Sequence, residues 1–365
     1  MGSAAPESLR VGVIGYGFAA KVFHIPFIQS TPFLKLQAIV QRSPTKVSSA
    51  PADHPEVKHY TAVDDLIHDE SCDVVVITTP PDSHFALAKL CLQAGKHILV
   101  EKPFVPSVSE AEELIQLAKK AKRLICIYQN RRWDSDFLTV QQLLQDGVFG
   151  RIHEVDTHFD YYRPTSADSW RGQLDTIHGG AALFDLGSHL IDQMYALFGL
   201  PRAVYGVLSN QKEGRLDPLN PDSVHAQLNY DGGMVVNIRV SDMSVESPQR
   251  RFWIRGTKSS FRKNGRDPQE GQLELGQTPK DPGFGVEPAE NEGRLVYVVN
   301  ASRMEERPYP TVAPETYGAL YQGFAAAIRS GTEEKIPVSA SQAKDVLRII
   351  EALYQSAVED QVVRL

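Results

Sequence analysis

The stretch LRVGVIGYGFAA, residues 9–20, decides the fold. Six residues rich in Leu, Val and Ile run without alternation into Gly15-Tyr16-Gly17-Phe18-Ala19-Ala20, and a helical pattern, AAKVFHIPFIQ, follows. An apolar strand of this kind is buried on both faces, which is the condition of a parallel sheet. The turn fits G-x-G-x-x-A, the alanine variant of the dinucleotide fingerprint. Gly15 permits the tight turn, Gly17 lets the backbone approach a pyrophosphate, and Ala20 keeps helix and strand close. Glycines commonly end strands, so the motif alone is weak; its place between a strand and a helix gives it force. Gly15, Gly17, Phe18 and Ala20 are the candidate cofactor residues of this turn.

Working outward, KLQAIVQ, DVVVIT, HILVE and LICIYQ read as further strands, with SHFALAKLCLQAG and SVSEAEELIQLAKKA as helices between them. Ser107 and Glu110 stand at capping-box spacing before the second of these helices. The expectation is α/β: an N-terminal Rossmann dinucleotide-binding domain, residues 1–128.

The end of the second strand discriminates between cofactors. NAD sites place an Asp or Glu there for the ribose hydroxyls. This chain has no acid between Glu7 and Asp53, and reads Gln41-Arg42-Ser43-Pro44-Thr45-Lys46 instead. An Arg beside a hydroxyl suits a 2′-phosphate. Arg42, Ser43 and Lys46 therefore point to NADP(H); the competing reading is a solvated basic turn.

The 365 residues exceed one ordinary core and imply two domains. With 42% hydrophobic and 23% charged residues, the chain is globular rather than disordered. A net charge of −7 argues against nucleic acid or an anionic membrane as partner. No apolar run approaches about 18 residues, and residues 1–10 lack a secretory pattern. Pro6 stands where a myristoylation site wants Ser or Thr. Cys72, Cys91 and Cys126 lie in apolar runs and read as reduced core residues, so no metal or redox role is expected and the default address is cytoplasmic.

Chemistry first shows in AALFDLGSHLIDQMYALFG, residues 181–199. On a regular helix Asp185, Ser188, His189 and Asp192 form one stripe amid apolar neighbours. Either the stripe faces water or it is a reaction site. A hydrolase triad is excluded, because adjacent residues on a helix do not face each other. No HExxH-type motif or Cys pair accompanies the stripe, which disfavours a metal site.

Three further segments line up with the fingerprint: TTPPDSHFALA (78–88), LVEKPF (99–104) and GGAALFDLGSHLIDQ (179–193). In this order they resemble the Gfo/Idh/MocA oxidoreductases, the glucose-fructose oxidoreductase and inositol dehydrogenase group. YGFAAKVFHIPFI and YQNRRWDSDF are similar to the branch with NADP-dependent scyllo-inositol dehydrogenases. The resemblance implies catalytic roles for Lys102, Asp185 and His189. It places Thr79, Pro80 and His84 along the cofactor cleft, Glu101 at the nicotinamide ribose, and Asn130, Trp170 and Arg171 among the cofactor contacts. A third glycine is more usual where this chain has Ala181.

Physical chemistry supports the central roles. Lys102 follows a strand C-terminus, where open α/β sheets bind ligands. Its ammonium can stabilise alkoxide character, and His189, with an ordinary pKa of about 6.5, is the natural proton carrier. Asp185 can orient substrate or imidazole, and Asp192 is a further possible contact. Tyr161, Tyr162, Arg163, Trp170 and His178 are candidates for the pocket wall.

Beyond Gln129, RIHEVDTHFDYY, AVYGVLSNQ, SVHAQLNYDGG, MVVNIRVSD and RRFWIRGTKSSF read as longer strands. They suggest an α+β domain, residues 129–365, on a largely antiparallel or mixed open-faced sheet. Polar loops are expected at 212–222 and 264–294, the second a lid, an interface or a mobile segment. Two helices fall at about 315–358; the resemblance implies that they pack on the first domain and that the protein is a homodimer or homotetramer. The expected activity is NADP(H)-dependent hydride transfer to or from a polyol, inositol or sugar. A non-enzymatic NADP sensor and a redox-neutral lyase or glycosidase are the alternatives.

Overall fold

A computed structural model describes residues 8–165 and 173–365. The chain forms two compact units. The first comprises Met1–Asn130, Gln269–Phe284 and Glu315–Lys344; the second comprises Arg131–Pro268, Gly285–Pro314 and Asp345–Leu365.

The first unit is built on β1 (Leu9–Ile14), β2 (Leu34–Val40), β3 (Lys58–Tyr60), β4 (Val74–Ile77), β5 (His97–Val100) and β6 (Ile125–Ile127). All pair in parallel in the order β3-β2-β1-β4-β5-β6, the doubly wound arrangement. Val13, Val75, Ile98 and Leu99 have no exposed surface, as strands covered on both faces require. The order reverses between β1 and β4, so the turns after β1, β4 and β5 emerge together at the carboxyl edge. Only β3 went unforeseen, three residues too short to carry a pattern.

The first helical segment is a π turn, Ala20–His24, followed by an α-helix, Ile25–Ser30. Pro26 lacks an N–H and cannot extend a ladder, but it is tolerated in the first turn of the new helix. The helix Val108–Ala121 begins as expected, with Ser107 accepting from the Glu110 N–H at 3.3 Å. Two later segments complete this unit. Phe27 packs among Phe284, Tyr317 and Tyr321, with centroid separations of 5.8–6.4 Å. The Ile127 N–H donates to Val338 O at 3.1 Å.

The second unit carries β7 (Ile152–Asp160), β8 (Ala203–Asn210), β9 (Arg215–Leu216), β10 (Ser223–Asn229), β11 (Val235–Ser241), β12 (Arg250–Gly256), β13 (Ser259–Asn264), β14 (Gly293–Asn300), β15 (Arg303–Tyr309) and β16 (Val363–Arg364). Nine lie in the order β15-β14-β13-β12-β7-β11-β10-β8-β16, and β9 pairs with β8. The sheet is mixed: β7 and β11 are parallel, and the other neighbours antiparallel. β11 alternates half-buried and buried residues, the mark of a sheet with one face packed.

Two expectations need correction. RRFWIRGTKSSF is a hairpin rather than one strand, turning between β12 and β13. The 264–294 segment, expected as a polar loop, holds a helix at Gln269–Glu274 and a turn at Ala289–Asn291. Among the described residues no helix is long and apolar enough to cross a membrane.

Candidate active site

The turn after β1 explains its two glycines differently. Gly15 has φ +101°, and a Cβ there would stand 2.8 Å from Thr78 Oγ1; the fold itself demands glycine. At Gly17 a Cβ would meet nothing within 4 Å and φ is ordinary, so no packing within the protein requires glycine. That opening is what close approach of a pyrophosphate to the backbone needs, and the residues fit a dinucleotide. Ala20 is fully buried, while Phe18 is half exposed and packs edge-on against Phe23.

At the end of β2, the Gln41 side chain shapes the turn. It donates to Ser48 O at 2.8 Å and accepts from the Ala50 N–H at 2.7 Å. Arg42, Ser43 and Lys46 are exposed along this turn, and neither Arg42 nor Lys46 makes an ion pair among the described residues. The next acid along the chain is Asp53, which accepts from the Tyr16 hydroxyl at 2.8 Å and lies 3.8 Å from Lys21 Nζ. Burial, with the Asp53 carboxylate beside it, raises the Tyr16 phenol.

After β5, Glu101 is gripped from two sides. Its Oε2 accepts from the Lys102 N–H at 2.8 Å, and its Oε1 lies 2.8 Å from His24 Nε2. His24 Nδ1 in turn lies 2.6 Å from the Tyr321 hydroxyl. The carboxylate can only accept, so Nε2 donates to it, and the ring links Glu101 to the phenol. Burial works to raise the Glu101 carboxyl, but His24 and the nearby Lys102 outweigh it and hold it below the usual range. Lys102 is partly buried and precedes a cis peptide bond to Pro103. His84 has no exposed surface, and its ring nitrogens lie 2.9 and 2.8 Å from Pro103 O and Thr79 O. The side chain thus lies between the turns after β4 and β5; burial lowers its pKa, and a neutral ring donates to one of the two carbonyls. Thr79 accepts from the Ser83 hydroxyl, and Pro80 is exposed.

In the second unit, Asp185 lies on a π turn, Leu183–Gly187, that runs into the helix Ser188–Phe198. The reading of a stripe facing water is overturned. Ser188, His189 and Asp192 are 1%, 5% and 1% exposed. The His189 ring lies nearly parallel to Phe159, centroids 6.3 Å apart. Asp192 is committed to Arg132 through two 2.8 Å hydrogen bonds rather than offered to a substrate. The Gln193 amide donates to Arg131 O and accepts from buried Arg251, so two successive helix residues are anchored.

Asn130 is buried in the 3₁₀ turn Asn130–Trp133. Tyr161 is half-buried, Tyr162 and Arg163 are exposed, and His178 is exposed with Asp175 2.6 Å from Nδ1. Trp170 and Arg171 lie outside the described residues. The three cysteines are buried and free, and burial pushes the Cys72 and Cys91 thiols up to about 11 and about 12.

Sequence reasoning missed Arg132, Gln193, Phe159 and Tyr321. The arginine pair in QNRRW, in a segment of high burial, was the available signal for Arg132. His24 and Tyr321 are separated by 297 residues and carry no local signature.

Residues 9–129 match the oxidoreductase family model with an NAD-binding Rossmann fold, and residues 141–365 match that family's C-terminal alpha/beta domain. YdgJ of Escherichia coli, an uncharacterised oxidoreductase, is 38% identical over 351 residues, covering 96% of this chain and 97% of its own. IolW of Bacillus subtilis, named as an NADP(+) scyllo-inositol 2-dehydrogenase, is 32% identical over 98% of this chain and 96% of its own. The solved structure of the oxidoreductase YvaA of Bacillus subtilis superposes with a TM-score of 0.91 at 32% identity, covering 98% of this chain and 99% of that one. The carboxyl-edge turns, the glycine fingerprint and these matches identify the chain as a member of the Gfo/Idh/MocA oxidoreductase family, with an NAD(P)-binding domain.

Proposed function

We propose that the protein is an NADP(H)-dependent dehydrogenase or reductase acting on a CH–OH or carbonyl carbon of a polyol, inositol or sugar. The observation that carries this reading is the burial of His189, an imidazole 5% exposed against the Phe159 ring, on the helix into which the π turn bearing Asp185 runs. The nicotinamide, when bound, supplies or accepts the hydride. His189 moves the hydroxyl proton, Lys102 stabilises negative charge on the substrate oxygen, and Asp185 orients the substrate or the imidazole. Glu101, fixed by His24, keeps an anionic carboxylate beside Lys102. His84 lies between the two turns that carry Thr79 and Lys102. Gly15, Gly17 and Ala20 cradle the pyrophosphate, while Arg42, Ser43 and Lys46 receive the 2′-phosphate. The name of the Bacillus relative supports the polyol class and NADP.

The test follows NADPH absorbance against inososes, aldoses and small carbonyls. On the best substrate, His189→Ala and Lys102→Ala each lower kcat/KM by about 10²-fold or more; full turnover in both variants removes the assigned roles. Arg42→Asp shifts preference toward NAD(H), and unchanged NADP(H) affinity in that variant counts against the 2′-phosphate reading.

A further inference from the structure

The aromatic ring against which His189 lies belongs to a cationic corner that hydride transfer to a neutral polyol does not use. Phe159 and Tyr161 are neighbouring rings, centroids 5.6 Å apart. The Arg266 guanidinium carbon lies 4.0 Å from the Tyr161 centroid and 5.5 Å from that of Phe159. Arg163 lies 3.5 Å from Tyr161, and Arg131 lies 4.5 Å from Phe159. Three guanidiniums therefore crowd two rings, one of which adjoins His189 at 6.3 Å.

Nearby acids compensate this charge unevenly. Arg131 has Asp134 at 3.4 Å. Arg163 reaches Asp242 only at 3.9 Å, and that carboxylate is shared with Lys212 at 3.3 Å. Arg266 is partly exposed and forms no ion pair among the described residues. Like charges packed together repel, and in a chain of net charge −7 such a corner is not a consequence of composition. An anionic ligand relieves the repulsion. A guanidinium stacked over a ring keeps its in-plane N–H donors available, the fork that matches a carboxylate or phosphate.

We propose that the substrate carries a carboxylate or phosphate, and that Arg266, braced on Tyr161 and Phe159 with Arg163 beside it, binds that anion while the reacting carbon lies at His189. The steps of 5.5 and 6.3 Å from Arg266 through Phe159 to His189 suit a monosaccharide or cyclitol with an acidic substituent. The choice of the reacting end rests on the reading of His189 given above; the anion site rests on the arginine–aromatic geometry.

The experiment is equilibrium calorimetry on the full chain loaded with NADP(H), with glucose, glucuronate, glucose 6-phosphate, myo-inositol and an inositol monophosphate as probes. In the wild-type protein at least one acidic probe binds tenfold or more tighter than its neutral parent, and the preference falls as salt is raised. The tighter arm identifies carboxylate or phosphate. Arg266→Leu narrows the preference to within twofold, and Arg266→Lys, which keeps the charge but not the fork, retains part of it. Thermal unfolding of each variant controls for folding. Equal affinity for acidic and neutral probes in the wild type, absence of binding by all acidic probes, or a preference that survives Arg266→Leu overturns the proposal. Anion binding through Arg266 with no turnover of any carbonyl leaves this site standing and removes the dehydrogenase reading; equal KM for acidic and neutral carbonyls does the reverse.

Discussion

Ala181 has φ +56°, where a side chain costs about 1–2 kcal/mol. It is the position at which the family resemblance leads one to expect glycine. Glycine would recover that strain but lose more freedom on folding, about 0.5–1 kcal/mol. Ala181→Gly should therefore raise unfolding stability by about 0.5–1 kcal/mol, read as a higher denaturant midpoint with unchanged slope. A lower midpoint would mean that the alanine is not strained. His24 makes a larger prediction. His24→Ala orphans a buried carboxylate oxygen and a buried phenol, at a cost of about 2–4 kcal/mol in urea unfolding. His24→Gln, which can donate to one partner and accept from the other, recovers part of that loss. Glu101 adds a pH dependence. Its carboxyl is held below the ordinary value of about 4.3, so its contribution is complete above that value and is lost as pH falls through the folded pKa. The stability gap between wild type and Glu101→Gln should be widest above about pH 5 and close on acidification. A gap constant from pH 7 to 3 would contradict the ionised assignment.

The helix Ser188–Phe198 shows how an element can be legible in kind and wrong in register. Apolar periodicity identified it, but the ideal i, i+3, i+4, i+7 stripe ignored the π turn Leu183–Gly187. A π turn depends on what packs around it, and its extra residue leaves no trace in hydrophobic pattern. The helix is held instead by Asp192–Arg132 and by Gln193. Arg132→Ala leaves a buried carboxylate without its partner and should destabilise the protein by about 3–5 kcal/mol. Arg132→Leu combined with Asp192→Leu should cost less than the two single changes added together, which a double-mutant cycle measures. Strands were readable where one face is buried. β15, exposed along nearly its whole length, offered no alternation to read.

At the scale of the whole molecule, the first unit is discontinuous in sequence. Its sheet and fingerprint lie before residue 130, yet Phe27 is covered by Phe284, Tyr317 and Tyr321, and β6 is joined by Val338. A fragment of residues 1–128 would expose that apolar face. It should lack the cooperative thermal transition of the full chain by circular dichroism, with weak amide protection in β6. A sharp transition in the fragment at the full-length Tm would show that the later segments are dispensable.

The amino-acid order alone determined what local patterns can encode: a strand-turn-helix with glycines at fixed offsets and a basic rather than acidic end to β2, with Lys102, Asp185 and His189 offered as candidates for the chemistry. Each depends on residues within a few positions of one another. Tertiary folding alone decided that Glu101 is answered by His24 and His24 in turn by Tyr321, that the polar stripe beside His189 is buried, and that arginines 131, 163 and 266 gather on two rings. Such contacts join residues tens to hundreds of positions apart. They exist only once sheet order and loop closure bring the chain together, and no periodicity records them beforehand.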